Sequence, residues 1–297
     1  MTDLLQEESA RGQRAIGANT WIWESPITDA SLAELLPRLA SWGFDLVELP
    51  VESLGDWDPE RTAELLEQHG LSASVCIAMA PGRELCGADH ETVRATQAFL
   101  CESIDAALAV SSSVIAGPIY SSVGRTWRMS PSERVKTYEQ LREALRPVCE
   151  YGAERGVRVA VEPLVRYETS VINTVRQALE VIDGLPEAGC GLLIDSYHAN
   201  VEEPDVPAAF REAGKRLAHV HLCANDRGVP GADHMDWGGI SDALDAIDYR
   251  GALVIESFTA ENEAIATAAS VWRPLAASQD DIARLGIVHL HSVFGPR

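Results

Sequence analysis

The sequence predicts an α/β protein, a single-domain (β/α)8 TIM barrel, and three observations carry that prediction. Eight short runs rich in β-branched and aliphatic residues recur along the 297 residues. Longer amphipathic segments separate them, as expected where strands alternate with helices. No Pro/Ser-rich linker or shift of composition marks a domain boundary. Eight strand–helix units in one chain of this length fit one barrel. A doubly wound sheet is the competitor, but no GxGxxG phosphate loop follows the first run.

The predicted strands, in order, are AIGANTW (15–21), LVELPV (46–51), SASVCIAM (72–79), SVIAGPIY (113–120), RVAVEPL (158–164), GLLIDSY (191–197), LAHVHLC (217–223) and ALVIESF (252–258). Helical periodicity falls over 31–43, 91–110, 131–156, 173–185 and 238–251, with Ser, Asn or Gly at plausible starts and Gly after the ends. Three helix-to-strand links, WGFDLVEL, HGLSASV and RGVRVAV, read as a glycine followed by an apolar run. A helix ending in a left-handed glycine just before the next strand has that signature. Residues 1–13 are expected to form a flexible tail, and a helical extension is expected from about 262 to 297, packed on the barrel.

Composition narrows the function. Hydrophobic content of 46% and charged content of 23% are ordinary for a soluble globular chain. The formal charge of −21 repels a phosphate backbone, and no basic run compensates, which argues against a nucleic-acid partner. Only Lys136 and Lys215 are lysines, and neither follows an apolar strand, so Schiff-base chemistry on a desolvated lysine is disfavoured. The six cysteines (76, 86, 101, 149, 190, 223) form no CxxC pair and no zinc-finger spacing. Without an export-type N-terminal segment or a run near the ~20 apolar residues of a membrane helix, the expectation is reduced thiols and a cytoplasmic location, with no membrane partner.

Four consecutive strands end on residues that bind metals. VAVEP ends in Glu162, LLID in Asp195, HVH in His221 and LVIES in Glu256. The steps are 195−162=33, 221−195=26 and 256−221=35 residues, each about one strand–helix unit of a barrel averaging roughly 31 residues per unit. All four therefore converge on the C-terminal rim, where barrel active sites lie. Three carboxylates there would repel one another and be costly to ionise together without a cation. Oxygen and imidazole donors suit divalent Mn²⁺, Co²⁺ or Mg²⁺ rather than a thiolate-bound structural zinc. His219 and His221 share a strand face, so the role of a packed core histidine stays open for one of them.

At these residues the sequence resembles the ketose 3-epimerases (D-tagatose, D-allulose and L-ribulose 3-epimerases) of the xylose-isomerase-like barrel superfamily. The resemblance runs through IGANTWIW, VEPLVRYE, IDSYHANVEE, HVHLCANDRGVPGADHMDW, VIESF and SVWRPL, nearly the whole chain. It implies that Glu162, Asp195, His221 and Glu256 bind a divalent metal ion, with Mn²⁺ or Co²⁺ foremost. It also implies that Glu162 and Glu256 are the catalytic acid/base pair. Glu168, His198 and Arg227 match the family's substrate-binding positions. Trp21 and Trp23 match positions lining the sugar pocket, beside the alternative of plain core packing. The sequence departs from the family where Asn is usual at Val165, where Thr-Phe-His-Met-Asn is usual for SYHAN, and at Leu222 and Cys223. These departures bear on substrate preference, since the metal and proton-transfer set is intact.

The implied reaction is epimerisation of free ketoses at C3 through a cis-enediolate, by a homodimer or homotetramer. Rival readings on the same scaffold are an aldose–ketose or hydroxypyruvate-type isomerase and a polyol dehydratase. The DNA-repair endonuclease branch needs more histidines than 8 and a basic groove, which this charge does not offer.

Overall fold

The computed structural model describes residues 14–295; the expected tail over 1–13 lies outside the described residues. Eight parallel strands close into a barrel in the order β1 to β8, with β1 hydrogen-bonded to β8. They are β1 (Ile16–Asn19), β2 (Leu46–Val51), β3 (Ser72–Ile77), β4 (Val114–Gly117), β5 (Arg158–Val161), β6 (Cys190–Asp195), β7 (Leu217–Leu222) and β8 (Leu253–Ile255). The helices described are α1 (Asp29–Trp42), α2 (Pro59–His69), α3 (His90–Ala109), α4 (Pro131–Arg155), α5 (Val175–Ile182), α6 (Ser196–Glu202), α7 (Val206–Ala213), α8 (Trp237–Ala246), α9 (Glu263–Ala268) and α10 (Gln279–Phe294). None of these is long and apolar enough to cross a membrane.

Local chemistry explains the boundaries. Thr28, Asp58, Asp89, Ser130 and Thr174 each accept a hydrogen bond from a backbone N–H of the helix they precede, which satisfies donors that have no intrahelical partner. The three glycines of the helix-to-strand links, Gly43, Gly70 and Gly156, have φ of 88°, 65° and 73°, the left-handed conformation that ends a helix. α2 and α7 were absent from the helical periodicity read above. Both nonetheless carry an Asp cap followed by Pro or Val-Pro in the first turn.

Most strands stop earlier than the aliphatic runs suggested, and the reasons are local. In β5 the N–H of Glu162 still bonds to Gly117 O at 3.0 Å, but Pro163 has no N–H to continue the ladder. β4 stops before Pro118 in the same way. At β1, Asn19 caps a 3-10 turn over Thr20–Ile22. At β6 the expected strand to residue 197 is cut at Asp195, whose carboxylate accepts from Tyr197 N at 2.6 Å and starts α6. The expected C-terminal helical extension is α9 and α10, separated by the non-helical residues 269–278.

Period-two alternation sorts the strand residues. Val47, Leu49, Val159, Val161, Leu192, Ile194, Val220, Leu222, Leu253 and Ile255 belong to the main apolar core. Their neighbours Glu48, Glu162, Asp195, His219, His221 and Glu256 fall on the opposite, inward parity. All six are buried polar side chains inside the barrel or at its mouth.

Candidate active site

The four strand-end residues converge. Glu162 is the first residue after β5, Asp195 the last of β6, His221 lies in β7, and Glu256 follows β8. His221 Nδ1 is 3.2 Å from Glu256 Oε1 and 4.0 Å from Asp195 Oδ2. Donor atoms of Asp195, His221 and Glu256 all lie within 4.8 Å of one another. The same limit groups Glu162 with Asp195 and His198, so Asp195 is common to both groups.

Arg227 threads between them. Its Nη1 is 2.5 Å from Asp195 Oδ2 and 2.7 Å from Glu256 Oε2, and its Nη2 is 3.1 Å from His198 Nε2. The guanidinium also lies over the rings of Tyr197 and Phe258. Its backbone has φ 67°, and its carbonyl accepts from Ser257 Oγ at 2.6 Å. A non-glycine residue held in the left-handed region is the kind of strain found at functional sites.

His198 meets a donor at each ring nitrogen. Its Nδ1 accepts from the backbone N–H of Val165 at 3.0 Å and its Nε2 faces Arg227 Nη2 at 3.1 Å, so the neutral ring offers one acceptor to two donors. Burial, followed by the charge of Arg227, lowers the His198 pKa to about 3, so the ring is neutral at ordinary pH. Its Nε2 lies 3.7 Å from Glu162 Oε1.

The two carboxyls expected to move protons sit in opposite electrostatic environments. Burial, then the charge of Glu256, raises Glu162 well above the ordinary carboxyl range. Burial also works against ionising Glu256, but His221 and Arg227 outweigh it and bring the pKa to about 2. Glu168 is pushed to about 7, mainly by burial, with Arg227 opposing. It lines the same cavity, of about 500 Å³, that Glu162, His198, His221, Arg227 and Glu256 reach.

The two tryptophans part company. Trp21 lines the cavity and packs on Phe258, with ring centroids 5.7 Å apart. Trp23 is placed elsewhere: its ring packs on Trp42 and its indole N–H donates to Asp280 Oδ1 of α10 at 2.9 Å. Of the two tryptophans expected to line the sugar pocket, Trp23 instead packs against α1 and α10.

The sequence reading missed Glu48. Fully buried in β2, it contacts Nε2 of both His219 and His221 at 2.6 Å and accepts from Asn19 Nδ2 (3.0 Å) and Ser74 Oγ (2.9 Å). Burial opposes its charge, but His221 and His219 hold its pKa well below normal. A glutamate on the inward parity of an otherwise aliphatic strand is the signal that could have found it.

The donor set fits a divalent cation. Both ring nitrogens of His221 are buried without a hydrogen bond of acceptable geometry; the 2.6 Å approach of Nε2 to Glu48 is an ion-pair contact with poor N–H alignment. Nδ1 faces Glu256 Oε1, with Asp195 beside it. Buried imidazole and carboxylate donors without thiolate suit Mn²⁺, Co²⁺ or Mg²⁺. The six cysteines are free thiols, all buried except the half-buried Cys101.

Comparison with known proteins agrees with this geometry. The family model described as xylose isomerase-like TIM barrel matches residues 36–275. The chain is 32% identical to a probable ketose 3-epimerase of Synechocystis sp., over 94% of this chain and 96% of that one. It is 27% identical to the L-ribulose 3-epimerase of Methylomonas sp., over 90% and 93% of the two chains. The crystal structure of a Methylomonas sp. D-allulose 3-epimerase in complex with D-allulose superposes with a TM-score of 0.87 at 26% identity, covering 95% of this chain and 98% of that one.

Proposed function

The chain belongs to the xylose isomerase-like TIM-barrel family, and on that premise we propose that it is a divalent-metal-dependent ketose 3-epimerase acting on free ketoses. It is an isomerase of the carbohydrate-epimerase type, as its relatives are. The observation that carries the finer reading is the pair Glu162 and Glu256, delivered from β5 and β8 to one cavity.

Epimerisation at C3 removes a proton α to the C2 carbonyl and returns one to the other face. A carboxyl is needed on each face, one ionised and one protonated. One of Glu162 and Glu256 accepts the C3 proton on its face while the other returns a proton on the opposite face, and the reverse direction exchanges their roles. The enediolate between these steps carries its negative charge on O2, beside the O3 hydroxyl. Arg227 is the charged donor that would bind that oxygen, with the His198 ring beside it. Glu168 is placed to hold a sugar hydroxyl. Held by Glu162, Asp195, His221 and Glu256, a bound Mn²⁺ or Co²⁺, with Mg²⁺ as the weaker choice, would supply Lewis-acid polarisation of the C2 carbonyl.

A cytoplasmic location and a symmetric homodimer or homotetramer complete the proposal. The test is metal-stripped protein incubated with D-allulose and L-ribulose, with and without Mn²⁺ or Co²⁺. A C3 epimer appearing only with metal is expected. An aldose product would move the assignment to the isomerase reading.

A further inference from the structure

Glu52 is the first residue after β2, and Trp21 and Ser25 follow β1. All three line the cavity. Oε1 of Glu52 accepts from both the Trp21 indole N–H (2.8 Å) and the Ser25 hydroxyl (2.6 Å). Among the described residues, Oε2 takes no hydrogen bond and no ion pair. The backbone beneath is fixed, because Arg83 Nη1 donates to the carbonyls of Glu52 (2.6 Å) and Ala78 (2.9 Å) and ties the loops after β2 and β3 together. Glu52 is thus a half-buried carboxylate on a rigid mount with one acceptor oxygen filled and one spare.

Its place across the barrel matters. In the closed order β1 to β8, β2 stands opposite β6 and β1 opposite β5. The acid/base residues and the cation donors all come from β5 to β8. A ketose held there by C1 to C3 extends the rest of its chain towards β1 to β3. The wall on that side includes Trp21, Ile77, Ala78 and Met79, which suit the C–H faces of a sugar but offer little for hydroxyls. The spare oxygen of Glu52 is a carboxylate acceptor on that wall, beside Ser25 and Ser53.

We propose that Glu52 is a specificity residue whose Oε2 accepts a hydrogen bond from the terminal hydroxyl of a six-carbon ketose, so that the chain favours ketohexoses over substrates lacking that group. This rests on the epimerase reading above. A site built to hydrogen-bond a hydroxyl discriminates against the analogue without it. Because Glu52 is only half-buried, the expected preference is modest, about 10- to 100-fold in kcat/KM rather than the larger ratios of fully enclosed sites.

The experiment compares wild type and Glu52→Gln on D-allulose, 6-deoxy-D-allulose and L-ribulose, with Mn²⁺ or Co²⁺ present. The glutamine keeps an oxygen for Trp21 and Ser25 but presents an NH₂ donor in place of the spare acceptor. Wild type should favour D-allulose over its 6-deoxy analogue. E52Q should shrink that ratio to about threefold or less, through KM, with unchanged melting temperature and a smaller effect on 6-deoxy-D-allulose and L-ribulose than on D-allulose. Equal losses on all three sugars would assign Glu52 to holding Trp21 and Ser25 and overturn the proposal. A ratio untouched in E52Q would also overturn it. Wild type epimerising none of the sugars would instead defeat the epimerase reading on which the proposal rests.

Discussion

The two halves of the barrel mouth are built from different chemistry. β5 to β8 end in Glu162, Asp195, His221 and Glu256, all buried, with Arg227 bridging Asp195 and Glu256. β1 to β4 lead into Trp21, Glu52, Ala78 and Pro118, a mostly apolar wall carrying a single carboxylate. One half gathers the candidate cation donors and proton-transfer groups; the other offers surface to shape what enters. Substitutions on the first half should therefore change chemistry and charge balance, and those on the second should change selectivity.

The largest effect is expected from Glu162→Gln or Glu256→Gln, either of which should lower epimerisation by about 10³-fold or more while leaving the fold intact. Turnover measured under saturating metal checks this, and retention in either variant would break the two-carboxyl account. Arg227→Met should destabilise the metal-free protein by about 3 kcal/mol, since it strands two buried carboxylates. Added Mn²⁺ should recover part of that loss, which denaturant titration with and without metal will read.

Glu168 gives a pH test. Its pKa rises from an ordinary 4.5 to about 7 in the folded chain, so between those values the native state binds more protons than the unfolded one. Stability from this group is therefore lost as pH climbs from 4.5 to 7, by about 3 kcal/mol at most. In metal-free protein, Glu168→Gln should be more stable than wild type above pH 7, and the gap should close by pH 4.5. Urea unfolding at both ends of that range measures the gap. His198, with its pKa lowered to about 3, works in the opposite sense: its contribution is present above its ordinary 6.5 and is lost as pH falls towards 3. Its background is common to both proteins and cancels in the difference.

Glu48 sharpens the comparison because it starts in β2 yet contacts His221 of β7. Glu48→Gln should weaken Mn²⁺ binding by about 10- to 100-fold, as loss of a partner behind a metal-bound histidine does; calorimetric titration of the stripped protein reads this directly. The smallest effects separate the tryptophans. Trp21→Phe should raise KM for ketoses several-fold, about 1 kcal/mol for one lost contact, whereas Trp23→Phe should shift only the melting temperature.

How much of this was legible in the sequence follows the same division. The charged half announced itself, because a Glu, Asp or His closing an aliphatic run at barrel spacing is a pattern along one dimension. Glu48 escaped because its partners, His219 and His221, lie 171 and 173 positions away (219−48 and 221−48). Glu52 escaped because nothing in PVESLG distinguishes a pocket carboxylate from an ordinary loop one. Trp23 was misplaced because a 3-10 turn, rather than an extended strand, follows Asn19. His198, Arg227 and Glu168 came from the family resemblance, and no spacing rule would have placed a left-handed Arg227 between two carboxylates. The eight strands were readable throughout, while their ends depended on Pro163, Pro118 and the capping by Asn19 and Asp195.

The measurement that bears most directly on the proton-transfer account is isotope exchange. Metal-loaded wild type is incubated with D-allulose in D₂O, and NMR locates the deuterium. Label confined to C3 of both epimers, absent from the Glu162→Gln and Glu256→Gln variants, is the result expected here. Label at C1 with an aldose product, or C3 label undiminished in either variant, would contradict it.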